Sequence, residues 1–213
     1  MKSIAVLISG RGSNLQALIA ARMPVKLAAV ISSDPAAPGL QIARQHGIAA
    51  LALNHRDYAE REDFDAELAA RIENFEPDLI VLAGFMRVLG DAFLRRFPNR
   101  IMNIHPSLLP AFPGLHTHAR ALAAGVKIHG CTVHFVTAQL DHGPIIIQAA
   151  VAVLPGDSAD SLAARVLEQE HEIYPQAVRW FAEERLVIEN GRVRVMDGMD
   201  KILPMRVPGV EKQ

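Results

Sequence analysis

The sequence predicts an α/β protein built on a doubly wound, mostly parallel sheet with helices on both faces. Continuous apolar runs such as IAVLIS (4–9) and DLIVLAGF (78–85) are typical of strands that are covered on both sides. Between such runs, apolar residues recur at helical spacing, as Leu15, Leu18 and Ile19 do. This alternation of strand and helix indicates βαβ units with right-handed crossovers.

The other elements of the first half follow the same alternation. Further strands are predicted at 26–32 and 48–53. Further helices are predicted at 40–46 and from Tyr58 to Phe75. The second of these helices carries Phe64, Leu68 and Ile72 on one face, and Pro77 ends it.

The second half of the chain is less regular. Strands are predicted at 100–104 and 143–153, and the last long helix at 159–182. Residues 130–137 alternate apolar and polar side chains, which indicates an antiparallel or edge strand. A short hairpin is expected around Asn190 and Gly191. Because the chain has no repeat, low-complexity tract or obvious linker, we predict one domain over residues 1–213 and one continuous sheet.

Composition and charge argue against several classes of function. The 22 basic and 23 acidic residues leave a net charge of -1, which offers no general attraction to nucleic acid or to an anionic membrane. No apolar run reaches the roughly 18 residues of a membrane span, and the apolar stretch at the N-terminus is too short for a signal peptide. Cys131 is the single cysteine, so no intrachain disulfide can form. We expect a cytoplasmic protein without nucleic-acid or membrane partners.

Side chains that could bind a metal are concentrated between residues 105 and 142. Seven such residues lie within 38 positions: His105, His116, His118, His129, His134, Asp141 and His142. No pair has the helical spacing of HExxH, and the cysteine is isolated. His116 and His118 could share a strand face, but Gly114 and the nearby prolines favour a loop. We therefore predict no metal site.

The stretch SGRGSN (9–14) joins the first strand to the first helix. Its glycines allow backbone N–H groups to surround an anion at the positive end of the helix, and Ser13 and Asn14 add a hydroxyl and an amide at the cap. It lacks the third glycine of a dinucleotide site and the lysine of a P-loop. The predicted ligand is a single phosphate, with an ordinary capped turn as the alternative.

Residues 103–113, NIHPSLLPAFP, follow a predicted strand at the edge where open α/β sheets bind ligands. Asn103 and His105 are two apart, so on an extended backbone their side chains leave the same face. Pro106 disfavours a helix at His105. An amide beside an imidazole can stabilise an oxyanion while the imidazole moves a proton. A buried histidine satisfied by the backbone of a rigid loop is the alternative.

A carboxylate in LDHGPII (140–146) completes this set of candidate catalytic residues. Asp141 lies in a turn before a predicted strand. A carboxylate close to an imidazole favours its cationic form, which can act as an acid near neutral pH. An aspartate that bonds its own turn is the alternative, and only a contact between Asp141 and His105 separates the two.

Two charged residues fall on apolar faces of predicted helices. Glu170 lies within the stripe of the last helix, four residues after Val166. Arg61 continues the stripe of Phe64 and Leu68 backward by three residues. Such a side chain either extends to water or contacts a ligand. For Arg61, which lies near the start of its helix, extension to water explains the position at least as well as contact with a ligand.

Six stretches together resemble the phosphoribosylglycinamide formyltransferases, the folate-dependent enzymes of purine biosynthesis. The likeness runs from residue 4 to about residue 182, with the stretches in the same order. They are ISGRGSNLQALI, LAGFMRVL, NIHPSLLPAFPGLHTH, GCTVHFV, LDHGPIIIQ and QEHEIYP. The resemblance implies a Rossmann-like formyltransferase fold, with a phosphate-binding half over 1–84 and a folate-binding and catalytic half over 85–213.

The resemblance also implies the reaction. A formyl group passes from 10-formyltetrahydrofolate, a co-substrate, to the amine of 5'-phosphoribosylglycinamide. Asn103, His105 and Asp141 match the catalytic residues, with Asn103 and His105 stabilising the oxyanion and Asp141 keeping His105 protonated. No metal takes part, and both substrates are small molecules. A homodimer is compatible with the resemblance.

The resemblance divides the binding residues between the two substrates. Those that match the phosphoribosylglycinamide side are Gly12, Ser13, Asn14 and Glu170. Those that match the folate side are Arg61, Met86, Arg87, Val88, Leu89 and Asn103. A carboxylate on the apolar stripe of the last helix is thereby accounted for.

The sequence disfavours three other functions. Methionyl-tRNA formyltransferase resembles the same site but carries an additional RNA-binding domain, whereas only about 30 residues follow the last helix here and the charge is near neutral. Formyltetrahydrofolate hydrolase has an added N-terminal domain, and this chain begins on its first strand. A phosphate-binding module without catalysis would account for 9–14 but not for Asn103, His105 and Asp141 together.

Overall fold

The computed structural model describes residues 1–196. Its strands are β1 (Lys2–Ile8), β2 (Val25–Ser32), β3 (Ala49–Ala52), β4 (Leu79–Leu82), β5 (Ile101–His105), β6 (Ile128–Phe135), β7 (Ile145–Ala152), β8 (Leu186–Glu189) and β9 (Arg192–Val195). Its helices are α1 (Ser13–Ala20), α2 (Gly39–Gln45), α3 (Arg61–Glu73), α4 (Asp91–Arg96), α5 (Thr117–Ala123) and α6 (Ala159–Ala182). Residues 197–213, which the sequence analysis assigned to the same domain, lie outside the described residues.

The central sheet has seven strands in the order β3-β2-β1-β4-β5-β6-β7. The first five of these strands in chain order, β1 to β5, pair in parallel, and β6 and β7 are antiparallel to their neighbours. The predicted fold class is therefore confirmed. Of the two alternatives for residues 130–137, an antiparallel or an edge strand, the structure shows an antiparallel strand inside the sheet. The chain winds outward from β1 to β3 and then returns to β4, so the strand order reverses between β1 and β4, where open α/β sheets bind ligands.

Two hydrophobic clusters, one on each face of the sheet, cover β1. Ile4, Val6 and Ile8 belong to the cluster that contains residues of α1 and α6. Ala5 and Leu7 belong to the cluster that contains residues of α3 and α4. Successive side chains of a strand point to opposite faces, so a continuous apolar run is the pattern that a sheet with helices on both faces requires.

The structure departs from the predicted elements in a few places. The helix expected from Tyr58 begins at Arg61, and the Tyr58 ring lies outside it with its edge against Phe64. The short helices α4 and α5 were not predicted. Strands β8 and β9 form the expected hairpin, but as a separate two-stranded sheet, so the prediction of one continuous sheet was wrong for this part of the chain. Among residues 1–196, none of the helices has the length and apolar character needed to cross a membrane.

Candidate active site

A cavity of about 540 Å³ lies beyond the carboxyl ends of β4 and β5. Its walls come from the loop after β4, the loop after β5 and the connection between β6 and β7. Four large apolar side chains in these walls are more than half exposed: Met86, Val88, Leu115 and Leu140. Uncovered apolar groups around a cavity of this size are typical of a small-molecule site.

The imidazole of His105 and the carboxylate of Asp141 lie side by side in the wall of the cavity. His105 Nδ1 is 3.4 Å from Asp141 Oδ2, and both side chains are only 7% exposed. On the other side of the ring, His105 Nε2 is 3.0 Å from the carbonyl oxygen of Phe112. Both ring nitrogens thus face acceptors, and only the doubly protonated imidazolium has an N–H for each of them.

The connection between β6 and β7 brings Asp141 to this position. At its start, the Val136 N–H donates to the carbonyl of Ile101, the first residue of β5. Asp141 meets His105, the last residue of β5, so the connection runs back along that strand. Asp141 has a left-handed backbone (φ 52°), and its Oδ2 accepts the Gly114 N–H at 2.8 Å. Aspartate tolerates this conformation better than most residues, and the Gly114 bond fixes the carboxylate.

The proline-rich loop after β5 is held by side chains of the antiparallel strands as well as by its prolines. The Thr132 hydroxyl of β6 donates to the Ser107 carbonyl at 2.6 Å and accepts the Leu109 N–H at 3.0 Å. Gln148 of β7 donates to the Leu109 carbonyl at 2.9 Å. These polar groups are buried or partly buried, so the loop is rigid where it leaves His105. Sequence reasoning did not single out Thr132 or Gln148.

His134 of β6 lies opposite Asn103 in the antiparallel pair and orients its amide. Asn103 Nδ2 is 3.2 Å from His134 Nε2, and His134 Nδ1 is 2.9 Å from the Phe135 carbonyl oxygen. Burial lowers the pKa of His134, against the opposing effects of the Phe135 carbonyl and of Asp141. The neutral ring has one N–H, at Nδ1, and this group donates a hydrogen bond to the Phe135 carbonyl. Nε2 therefore accepts a hydrogen bond from Asn103 Nδ2. Sequence reasoning treated His134 only as a potential metal ligand, and its place in an alternating strand was the available signal.

Two further histidines, His118 and His129, contact each other at the wall of the cavity. His118 lines the cavity, and its ring meets that of His129 edge to face with centroids 5.3 Å apart. Burial lowers the pKa of both, that of His129 to about 4, so these rings are neutral at physiological pH. Across residues 1–196, His, Cys, Asp and Glu form no group of three or more that could hold a metal ion.

The turn between β1 and α1 packs closely against the backbone at the start of α2. Gly12 is the residue before α1 and has a left-handed backbone (φ 81°), and a Cβ there would lie 2.8 Å from Gly39 Cα. Glycine is therefore required at this position. The expected side-chain cap was wrong, because Ser13 and Asn14 are the first two residues of the helix and neither caps it. Both residues lie at the end of a helix whose first N–H groups have no intrahelical acceptor.

Glu170 of α6 meets this turn. Its side chain accepts a hydrogen bond of 2.8 Å from Asn14 Nδ2, and the residue is only 7% exposed. Burial raises the pKa of Glu170, and the Asn14 bond opposes the shift. Asn14 Oδ1 is buried and has no hydrogen-bond partner within residues 1–196. Gly12, Ser13, Asn14 and Glu170 thus form a second polar group at the end of β1, and none of them lines the cavity.

Glu170→Gln should stabilise the protein at neutral and alkaline pH. The folded-state pKa of Glu170 is raised, so its charge costs stability at every pH above that value, and the cost vanishes as pH falls to the unfolded value near 4.5. Glutamine keeps an acceptor for Asn14 without the charge. The Tm of the variant, followed by circular dichroism from pH 8 to pH 4.5, should exceed that of wild type by a few degrees at pH 8 and converge with it at the acid end. Glu168→Gln, at an exposed position of the same helix, should show no such trend.

The residues predicted for the folate side fall into two groups. Met86, Arg87, Val88 and Leu89 line the cavity, together with Asn103. Arg61 does not line it: its guanidinium pairs with Glu62 at 3.0 Å, and its side chain is 48% exposed.

The chain matches known proteins over most of its length. Residues 2–178 match the family described as formyl transferase, and the chain is a member of that class. It is 52% identical to the phosphoribosylglycinamide formyltransferase of Escherichia coli K12 (86% of this chain, 89% of that protein) and 43% identical to that of Haemophilus influenzae (96% and 97%). The crystal structure of glycinamide ribonucleotide transformylase 1 from Symbiobacterium toebii superposes with a TM-score of 0.90 at 54% identity, over 92% of this chain and 95% of that one. The chain belongs to the phosphoribosylglycinamide formyltransferase family.

Proposed function

We propose that the protein transfers a formyl group from 10-formyltetrahydrofolate to the amine of 5'-phosphoribosylglycinamide in de novo purine biosynthesis. The observation that carries this proposal is the contact between His105 and Asp141 beside Asn103, in the wall of a cavity lined by exposed apolar side chains. The family to which the chain belongs supports the same reaction.

The chemistry begins with attack of the free amine on the formyl carbon. The carbonyl oxygen becomes negative as the carbon–nitrogen bond forms, and Asn103 and His105 stabilise it. His134 holds one amide hydrogen of Asn103, which leaves the second hydrogen for the oxyanion. His105 Nε2–H donates to Phe112 in the free protein and is the ring donor that can turn to the oxyanion.

The intermediate then collapses with loss of the folate nitrogen. The carbonyl re-forms as the bond between carbon and folate nitrogen breaks, and the proton lost by the amine reaches that nitrogen through water. Asp141 keeps His105 cationic throughout and assists this transfer of the proton. Asn103 is already oriented by His134, so only the His105 N–H has to leave its acceptor, Phe112, to reach the oxyanion.

The two polar groups divide the substrates between them. The phosphate of phosphoribosylglycinamide is bound by the N–H groups and side chains at Gly12, Ser13 and Asn14, and Glu170 contacts the ribosyl-glycinamide part. The flat ring of the folate lies against residues 86–89, where the exposed side chains of Met86 and Val88 gain cover. Arg61 does not line the cavity, so on the folate side it would contact only a part of the ligand that extends beyond the cavity.

The direct test is turnover by the purified protein. With both substrates present, the change in folate absorbance should follow enzyme concentration and should stop when either substrate is left out. A protein that binds the phosphorylated substrate but never consumes the formyl donor would be a binding module, and the proposal would be wrong.

The Ser13→Ala, Asn14→Ala double variant should raise the KM for phosphoribosylglycinamide by roughly 100-fold, because two hydrogen-bonding groups at a charged phosphate are lost. The KM for the folate should change little, since neither residue lines the cavity. Steady-state kinetics with each substrate varied in turn measures both values. The matched control is the double variant Ser158→Ala, Ser161→Ala, which removes the capping box at the N-terminus of α6. Equal weakening of both substrates in the Ser13, Asn14 variant would contradict the assignment of the phosphate.

A further inference from the structure

The loop between β4 and α4, residues 83–90, lines the cavity without the support of regular structure. It contains neither helix nor strand. In the described part of the chain, the backbone groups of residues 87–89 make no hydrogen bond to the protein. The position of this loop therefore depends on the buried side chain of Leu89 and on the contacts at its two ends.

One side chain holds each end of the loop. At the first end, the Ser9 hydroxyl accepts the Met86 N–H at 2.9 Å. At the second end, Asp65 Oδ2 accepts the Gly90 N–H at 2.7 Å. The backbone comes close to Asp65 there, since a Cβ on Gly90 would lie 3.1 Å from Oδ2. A short bond from a carboxylate to a backbone N–H is the stronger kind of hydrogen bond.

Asp65 is an unusual residue for its position on α3. It is 4% exposed and is flanked along the helix by Phe64 and Leu68, which belong to the core. Burial raises the pKa of Asp65, while the Gly90 N–H and the charges of Arg61 and Arg87 act in the opposite direction. Oδ1 is buried and has no hydrogen-bond partner within residues 1–196. An apolar side chain would pack here without the cost of burying a charge, so packing alone does not account for an aspartate.

We infer that Asp65 is a positioning residue for the folate side of the cavity, fixing the loop 83–90 through the Gly90 N–H. The inference rests on the proposed function, because it assigns the loop to the formyl donor. With the bond in place, the unpaired backbone groups of 87–89 and the exposed side chains of Met86 and Val88 are held ready for a flat ligand. Without it, binding of the ligand must also order the loop, and that cost weakens affinity.

Three substitutions at Asp65 separate a positioning role from a packing role. Asp65→Ala removes the acceptor, Asp65→Leu removes it with an apolar group of similar size, and Asp65→Asn keeps an oxygen for Gly90. Asp65→Ala should raise the KM for the formyl donor roughly tenfold, with a smaller change in kcat and none in the KM for phosphoribosylglycinamide. Asp65→Leu should raise the KM for the formyl donor to the same extent, and it replaces the alanine variant in the test if that variant does not fold. Asp65→Asn should have a KM for the formyl donor close to that of wild type.

Asp78 offers the matched control. Its carboxylate accepts the Ser3 N–H at 2.7 Å just before β4, at the opposite end of the strand from the loop. Asp78→Ala should lower Tm without changing either KM. If Asp65→Ala and Asp78→Ala both lower Tm and leave both KM values unchanged, Asp65 is structural only and the inference is wrong. It is also wrong if Asp65→Asn is as impaired as Asp65→Leu.

Hydrogen exchange provides a readout that does not need turnover. The Gly90 amide should exchange much faster in Asp65→Leu than in wild type or Asp65→Asn, and protection elsewhere in β4 should be kept. If wild type shows no formyl transfer while Gly90 is protected in this way, the proposed function fails and the anchoring of the loop stands. Equal protection of Gly90 in all variants overturns the inference whatever the activity.

Discussion

His105→Phe should lower kcat by roughly 10²- to 10³-fold, the effect typical of removing one donor from an oxyanion site. Phenylalanine keeps the flat ring in a buried position, where His105 is 6% exposed, but has no N–H for the oxyanion. The KM values should change much less, because the lost interaction forms only as charge develops on the formyl oxygen. Steady-state kinetics under saturation with both substrates measures this loss.

The same substitution at an exposed histidine is the control for His105→Phe. His46, the residue that follows α2, is exposed, and His46→Phe should leave kcat unchanged. Circular dichroism and Tm should show that both variants are folded. A folded His105→Phe variant with a kcat within a few-fold of wild type would remove His105 from the mechanism.

Asp141→Asn should lower kcat by roughly 100-fold or more, within the range for loss of a positioned acid–base group. Asparagine retains an oxygen for the Gly114 N–H, so the loop should keep its place. What disappears is the negative charge 3.4 Å from His105 Nδ1, and with it the stabilisation of the imidazolium. The pH–rate profile of the variant should therefore differ from that of wild type.

The pH–rate profile decides whether the pairing of Asp141 with His105 matters. Asp157→Asn is a suitable control, because that carboxylate also accepts a backbone N–H and pairs with Arg165, at the start of α6. It should leave the profile in place. An Asp141→Asn variant that is slow but has the wild-type pH–rate profile would count against the pairing and would leave Asp141 a role in proton transfer only.

Local patterns were sufficient for most of the fold. The burial of every residue from Ile4 to Ile8 follows from a strand packed on both faces, and an apolar run reports this directly. The helices α4 and α5 were not predicted because they span only six and seven residues, too few for a helical period to stand out, and lie in the less regular second half of the chain. Helix α2 is as short as α5, but it lies within the regular alternation of strand and helix in the first half. The separate hairpin was missed because pairing between β8 and β9 looks the same in sequence whether or not it joins the main sheet.

Local patterns also placed candidate residues at the ends of strands, but not their partners. Asn103 and His105 were found through their spacing on an extended strand. His134 was not found as a partner of Asn103, because their contact depends on the register between β5 and β6. Asp65 was not found either, because a polar residue within a helix carries no local mark of the backbone amide that it meets.

The sequence by itself determined the fold class, the glycine turn between β1 and α1, and the presentation of Asn103 and His105 on one face. Each of these depends on backbone preferences and side-chain periodicity within a few residues. Only the tertiary structure decided which side chains meet. The contact of Asp141 with His105 requires the β6–β7 connection to run back along β5, and that of Glu170 with Asn14 joins residues 156 positions apart. Such contacts are set by the packing of α6 and of the antiparallel strands against the sheet, and no local pattern carries that information.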